Sequence, residues 1–205
     1  MNRRHAALAA TAATLAGAAA LADLRSPRVG THVDVAQLAA EIEAGDDHIS
    51  ALDLAERIMK GESNLQVFDL RSESEFTDFH IPSAKLTSVT ALVREPLPQD
   101  ATLALYSEGG AHAAQAWVLL RLRGYRKVVM LREGVYEWVS RVLEPRLATD
   151  ATPAERQEFE RASVLSRYFG GLPRSGVARA ELPTGYWAGA SQARPDARTT
   201  RRRGC

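Results

Sequence analysis

The run Leu103-Ala104-Leu105-Tyr106-Ser107-Glu108-Gly109-Gly110 leaves fewer folds open than any other part of this sequence. Its first half carries no charge and reads as a buried strand. Its second half is a glycine-containing loop, and residues 111–122 read as a helix ending at Gly124. A loop between a strand and a helix aims several backbone N–H groups and a helix N-terminus at one spot, which suits an anion. A thiol at that spot would be acidified and nucleophilic. The hydroxyl of Ser107 is neither unless a base activates it.

The same alternation of strand and helix runs along the rest of the chain. Residues 33–44 place apolar side chains at 35, 38, 39 and 42, a helical spacing ended by Gly45-Asp46-Asp47. His48 and Ile49 suit a very short strand. Ser50 can cap a helix over 51–60 whose apolar face is Leu52, Leu54, Ala55, Ile58 and Met59. Residues 65–70 read as a strand centred on Val67 and Phe68, and 72–78 as a short helix. Residues 85–89 read as a strand with a helical turn after it to Val93, and 96–100 as a turn. Residues 102–106 and 127–131 complete the strands, and a helix over 134–143 is stopped by Pro145. Five strands alternating with helices predict an α/β fold: a central, mostly parallel five-stranded sheet flanked by helices. In such sheets the site lies beyond the carboxyl ends of the strands, where the loop after Tyr106 falls.

A capping box at Thr152-Pro153-Ala154-Glu155, with proline at the first helical position, predicts a further helix to about Phe169. From Leu172 on, Gly, Pro, Ser, Ala and Arg dominate without apolar periodicity. Residues 171–205 therefore read as a flexible basic tail, ordered only against a partner.

Charge excludes one function class. The chain has 26 Lys and Arg against 25 Asp and Glu, a formal net charge of +1, so it is not built as a nucleic-acid protein. Its single cysteine, Cys205, is the last residue. That leaves no intrachain disulfide and no cysteine metal cluster. The histidines at 5, 32, 48, 80 and 112 make no ligand pair at helical spacing, so no metal and no cofactor are expected. Arg3-Arg4-His5, the uncharged stretch 6–22 and Ala20-Leu21-Ala22 before Asp23 have the layout of a signal peptide. The expected location is the bacterial periplasm after cleavage, with no stable membrane span. The alternatives are an N-terminal membrane anchor and an ordinary alanine-rich helix. In an oxidising compartment Cys205 could pair only with another molecule, through an intermolecular disulfide.

Several separated pieces resemble one family in the right order. Asp69-Leu70-Arg71 with Glu75-Phe76 is similar to the Asp-x-Arg…Glu-Phe segment of rhodanese-like domains. His80-Ile81-Pro82-Ser83-Ala84 is similar to their His-Ile-Pro-Gly-Ala turn. The segment 120–131 resembles their last helix end and last strand, and Gly134 and Trp138 fall where the family has Gly-Gly-x-x-x-Trp. The resemblance implies a single rhodanese-like domain over 49–146. It leaves a signal peptide at 1–22, a helical lead-in at 23–48, a C-terminal helix at 147–170 and the tail. Active members carry Cys-x-x-Gly-x-Arg in the loop. Here the six positions are Ser107, Glu108, Gly109, Gly110, Ala111 and His112, and only the fourth agrees. The resemblance thus implies the fold and not the family's sulfur transfer.

Asp69, Arg71, Glu75 and His80 are expected near the site in structural roles, as an ion pair bracing loops and as a packed turn. Ser107 and His112 invite a serine–histidine dyad, but nothing in the sequence sets its geometry, and the favoured reading is a serine hydrogen-bonded within its own loop. The expected function is an exported binding or regulatory module for a protein partner or a small anion. The alternatives are a sulfurtransferase or redox adaptor working through Cys205.

Overall fold

The computed structural model describes residues 34–183 and Tyr186. The stretch 1–22, the distal part of the tail and Cys205 lie outside the described residues. Helix α1 is Val35–Ala44, capped by the Asp34 carboxylate and ended at Gly45, whose φ is 69°. Strand β1 is His48–Ile49, and α2 is Ala51–Met59 with Ser50 as its N-cap. Then come β2 (Leu65–Asp69), α3 (Glu73–Asp78), β3 (Ala84–Leu86), α4 (Val89–Arg94) and β4 (Thr102–Tyr106). Helix α5 is Ala111–Leu122, and β5 is Val128–Leu131.

The five strands form one sheet in the order β1-β5-β4-β2-β3, every pair parallel. β4 is central, and all five of its residues are buried, as a strand covered on both faces must be. Alternation along the strands sorts the core into two layers. Val67, Ala104, Tyr106 and Leu131 pack with Leu52, Leu54 and Ala55 of α2 and with Trp138 and Val142. Leu103, Leu105 and Phe68 are left for the opposite layer, where α4 and α5 pack together. Trp117 of α5 is buried there and donates its indole N–H to the Val128 carbonyl at 2.8 Å.

Three sequence expectations are corrected. The third strand is Ala84–Leu86 rather than 85–89, because the Ser88 hydroxyl accepts from Ala91 N–H and starts a helix at Val89. The expected helix over 134–143 is two pieces: α6 is Val135–Trp138, and Val139–Leu143 winds as a π-helix. The segment after residue 170 is not structureless throughout. β6 (Arg146–Ala148) and β7 (Arg174–Val177) form a parallel two-stranded sheet, joined through α7 (Pro153–Tyr168). The Pro145 and Leu143 carbonyls accept from the N–H groups of Arg174 and Leu172. A short 3-10 turn follows at Arg179–Glu181.

Candidate functional site

Parallel pairing brings the ends of β2, β4 and β5 to one edge of the sheet. Asp69 lies beside Tyr106 in register, and the Leu70 N–H donates to the Tyr106 carbonyl at 2.9 Å. Ser107 therefore emerges between the turn after β2 and the turn after β5. Its carbonyl accepts from Val135 N–H at 2.9 Å, which ties the loop to α6.

Two glycines make this closeness possible. At Gly134 the backbone has φ 60° and ψ −145°, a region in which only glycine is comfortable. A Cβ there would sit 2.1 Å from the Ser107 carbonyl oxygen and 2.4 Å from that of Glu108. Gly110 is the N-cap of α5, with φ 90°, and its backbone faces the Arg132 carbonyl. It has no side chain with which to cap the helix. The first N–H groups of α5 consequently open into the loop.

The structure brings the six loop positions together as follows. Ser107 is only 3 % exposed, and its Oγ bonds no described group. Glu108, Gly109, Ala111 and His112 are exposed, and Gly110 is buried. The expected hydrogen bond of Ser107 within its loop is thus not found among the described residues. No hydrogen bond joins His112 to Ser107 among them either, so the histidine is not set as a base for the hydroxyl. The carboxylate of Glu108 accepts from the Tyr136 phenol, which reaches back from α6 across the loop. That bond, with the Glu75 and Glu108 charges acting in the same sense, raises the Tyr136 pKa.

Beside the loop lies a polar network whose centre, Asp69 with the Arg71 side chain, is buried. Asp69 is fully buried and holds Arg71 through both carboxylate oxygens, with N–O distances of 2.7–3.2 Å. Arg71 also donates to the Phe79 carbonyl at 2.6 Å, and its guanidinium lies 5.6 Å from the Tyr106 ring centre. Its charge is spent on these partners. The Tyr106 hydroxyl accepts from Ile81 N–H at 3.1 Å. Burial and the Asp69 carboxylate keep that phenol protonated far above the usual tyrosine range. Glu75 closes the capping box of α3, accepting from the Ser72 N–H and hydroxyl, which lowers its pKa. His80 stacks on Phe76 with ring centres 4.0 Å apart, and its Nδ1 lies 2.9 Å from the Phe76 carbonyl oxygen.

Residues 50–141 match the family model described as rhodanese-like domain. This segment is a rhodanese-like domain. Its loop, its flanking glycines and the buried Asp69–Arg71 pair occupy the carboxyl edge of that domain's sheet. The chain is similar to the Alr3790 protein of Anabaena sp., at 29% identity over 44% of this chain and 74% of that one, with a TM-score of 0.42. It is also similar to a rhodanese-related protein from Thermoplasma volcanium, at 26% identity over 45% and 89%, TM-score 0.39. A rhodanese-like domain protein from Staphylococcus aureus shares 20% identity over 45% and 90%, TM-score 0.41. No curated protein matches.

Sequence reasoning overlooked Tyr136 and Tyr106 as members of this candidate site. Tyr136 follows Gly134 by two residues, in the helix α6 that leaves β5, and the segments leaving parallel strands share one edge of the sheet. That topology was the available clue. Tyr106 ends an otherwise apolar strand, a setting that hides its hydroxyl's role. No group of three potential ligands stands close enough to hold a metal among the described residues. No described helix is long and apolar enough to cross a membrane.

Proposed function

We propose that this protein is an exported rhodanese-like binding or regulatory module that does not transfer sulfur, and that its loop takes a small anionic group or a partner's side chain. The observation that carries this reading is Ser107, the residue at the position where active family members hold the persulfide-forming cysteine. A hydroxyl cannot form a persulfide. No described base contacts it, and the carboxylate of Glu108 stands one residue away. The backbone donors that would hold an anion are kept, while the thiol and the arginine are not.

A thiosulfate:cyanide sulfurtransferase assay tests this. Wild type is expected at background. Turnover that survives Cys205→Ser would overturn the reading, and turnover abolished by that change would move the chemistry to the tail thiol and overturn it as well. The charge argument adds an ordering. Ser107→Cys alone should stay far below the triple change Ser107→Cys, Glu108→Arg, His112→Arg, because a neighbouring carboxylate disfavours both a thiolate and an incoming anion. Export rests on the basic start, the uncharged stretch and Ala20-Leu21-Ala22. Its check is intact mass on the periplasmic fraction, with the mature chain expected to begin near Asp23. Retained Met1 on a cytosolic protein would refute export.

A further inference from the structure

We propose that the loop between β4 and α5 takes a small zwitterion: a carboxylate or sulfonate on a short aliphatic chain that carries a primary ammonium, the chemistry of a free amino acid. This rests on the reading of the loop as a binding cradle and names its ligand class.

The anionic half is called for by open donors. Gly110 leaves the first N–H groups of the twelve-residue helix α5 without a side-chain cap. By contrast, hydroxyls of Ser50, Ser72, Ser88 and Thr152 each cap a helix elsewhere in the fold. Ser107 is all but buried beside those open donors, yet its Oγ bonds no described group. A nearly buried hydroxyl without a protein partner is a place where a ligand atom completes the bonding.

The cationic half is called for by the rim. One oxygen of Glu108 accepts from the Tyr136 phenol, and the other has no partner among the described residues. The Glu75 charge reaches the same phenol. No cation forms an ion pair with Glu108 among the described residues, and Arg71 is held in a bidentate pair with Asp69 and by the Phe79 carbonyl. His112, exposed in the first turn of α5, stands where active family members carry an arginine, and it pairs with no carboxylate among the described residues. A plain anion would meet the Glu108 carboxylate, and a plain cation would meet the helix N-terminus. A ligand that carries both charges two or three bonds apart satisfies both.

The test is an amide chemical-shift titration of the full-length protein with glycine, taurine, acetate, methylammonium and thiosulfate, on wild type and on Glu108→Gln. Glu108 is exposed, so the variant keeps the fold. Glycine or taurine is expected to shift the amides of residues 107–113 with a Kd about tenfold below that of acetate or of methylammonium, the size of one charge-assisted contact. Glu108→Gln should remove that advantage and leave acetate no weaker. Ser107→Ala should weaken acetate and glycine together. Equal binding of acetate and glycine, glycine binding that is untouched in Glu108→Gln, or no shift with any probe would each overturn the proposal. The sulfurtransferase assay is independent of these readouts, so the failure of one reading does not count as failure of the other.

Discussion

Gly134 is the residue on which the loop geometry turns. Its backbone angles and the 2.1 Å that would separate a Cβ from the Ser107 carbonyl are two separate demands for glycine. Gly134→Ala is therefore expected to cost about 3 kcal/mol or more, from backbone strain and overpacking together. The obstacle is backbone on both sides, and no side chain can swing away. Gly109 gives the contrast inside the same loop. A Cβ there meets nothing within 4 Å, and Gly109→Ala should stay within about 0.5 kcal/mol of wild type. Urea unfolding of the two variants checks both, and equal losses would show that the close approach does not constrain this site. Asp69 and Arg71 illustrate a different residue-scale rule. Their pair is buried and bidentate, so removing one partner strands a charge, and the pair fixes the turn on which Phe79 and Ile81 reach the site.

At the scale of elements, most of the sheet was legible because its strands are short, apolar and bounded by caps that have a chemical signature. Ser50, Ser72 and Thr152 each begin a helix where the sequence places one. What was not legible has physical reasons. Strand β7, Arg174-Ser175-Gly176-Val177, has little apolar content and almost none of it buried, so no hydrophobic pattern announces it. It exists through backbone pairing with β6, some thirty residues earlier, and such pairing leaves no local trace. The π-helix over Val139–Leu143 likewise follows from tertiary fit against α2 and α7. At the site, the loop's position was readable from topology, whereas the Tyr136–Glu108 contact needed coordinates.

The start of α7 supplies an element-scale prediction. Glu155 accepts from the Arg179 guanidinium and from Thr152 N–H, and these bonds hold its pKa down at about 2. A carboxylate whose folded pKa lies below its unfolded value contributes stability above the unfolded pKa of roughly 4.3, and loses it as pH falls toward the folded one. Glu155→Gln keeps the capping box and removes the charge. It should lower stability at pH 7 by on the order of 1 kcal/mol, since Arg179 is half exposed and its pairing is screened. Thermal midpoints should converge with those of wild type as pH falls through the window between roughly 4.3 and 2. A gap that is constant with pH would mean that the ion pair contributes nothing.

For the molecule as a whole, the segment that matches the rhodanese-like family ends before the fold does. The match covers residues 50–141, yet α7 lies across α2 and the π-helix and buries Ala162 and Leu165 in the same cluster as Trp138 and Val142. The join is polar as well as apolar. Arg161 reaches Asp53 and Glu56 on α2 at 2.6 Å each, Arg141 pairs with Glu158, and the Ser166 hydroxyl donates to the Leu143 carbonyl at 3.1 Å. Beyond α7, Gly171 packs so closely that a Cβ would lie 2.2 Å from that same carbonyl oxygen. The C-terminal segment thus forms one wall of the core on the α2 side of the sheet. A chain cut after residue 145 would expose that wall, and each large apolar side chain left uncovered costs about 1.5–3 kcal/mol against a total stability of about 5–15 kcal/mol. Such a fragment is expected to lack a cooperative urea transition and a near-ultraviolet signal from Trp138. Within the full chain, Leu165→Ala should cost about 2–5 kcal/mol, as the loss of a fully buried leucine does. A truncated fragment that melts cooperatively within a few degrees of the full protein, together with a Leu165→Ala loss well under 1 kcal/mol, would show that the rhodanese-like domain stands alone and that α7 only rests on it.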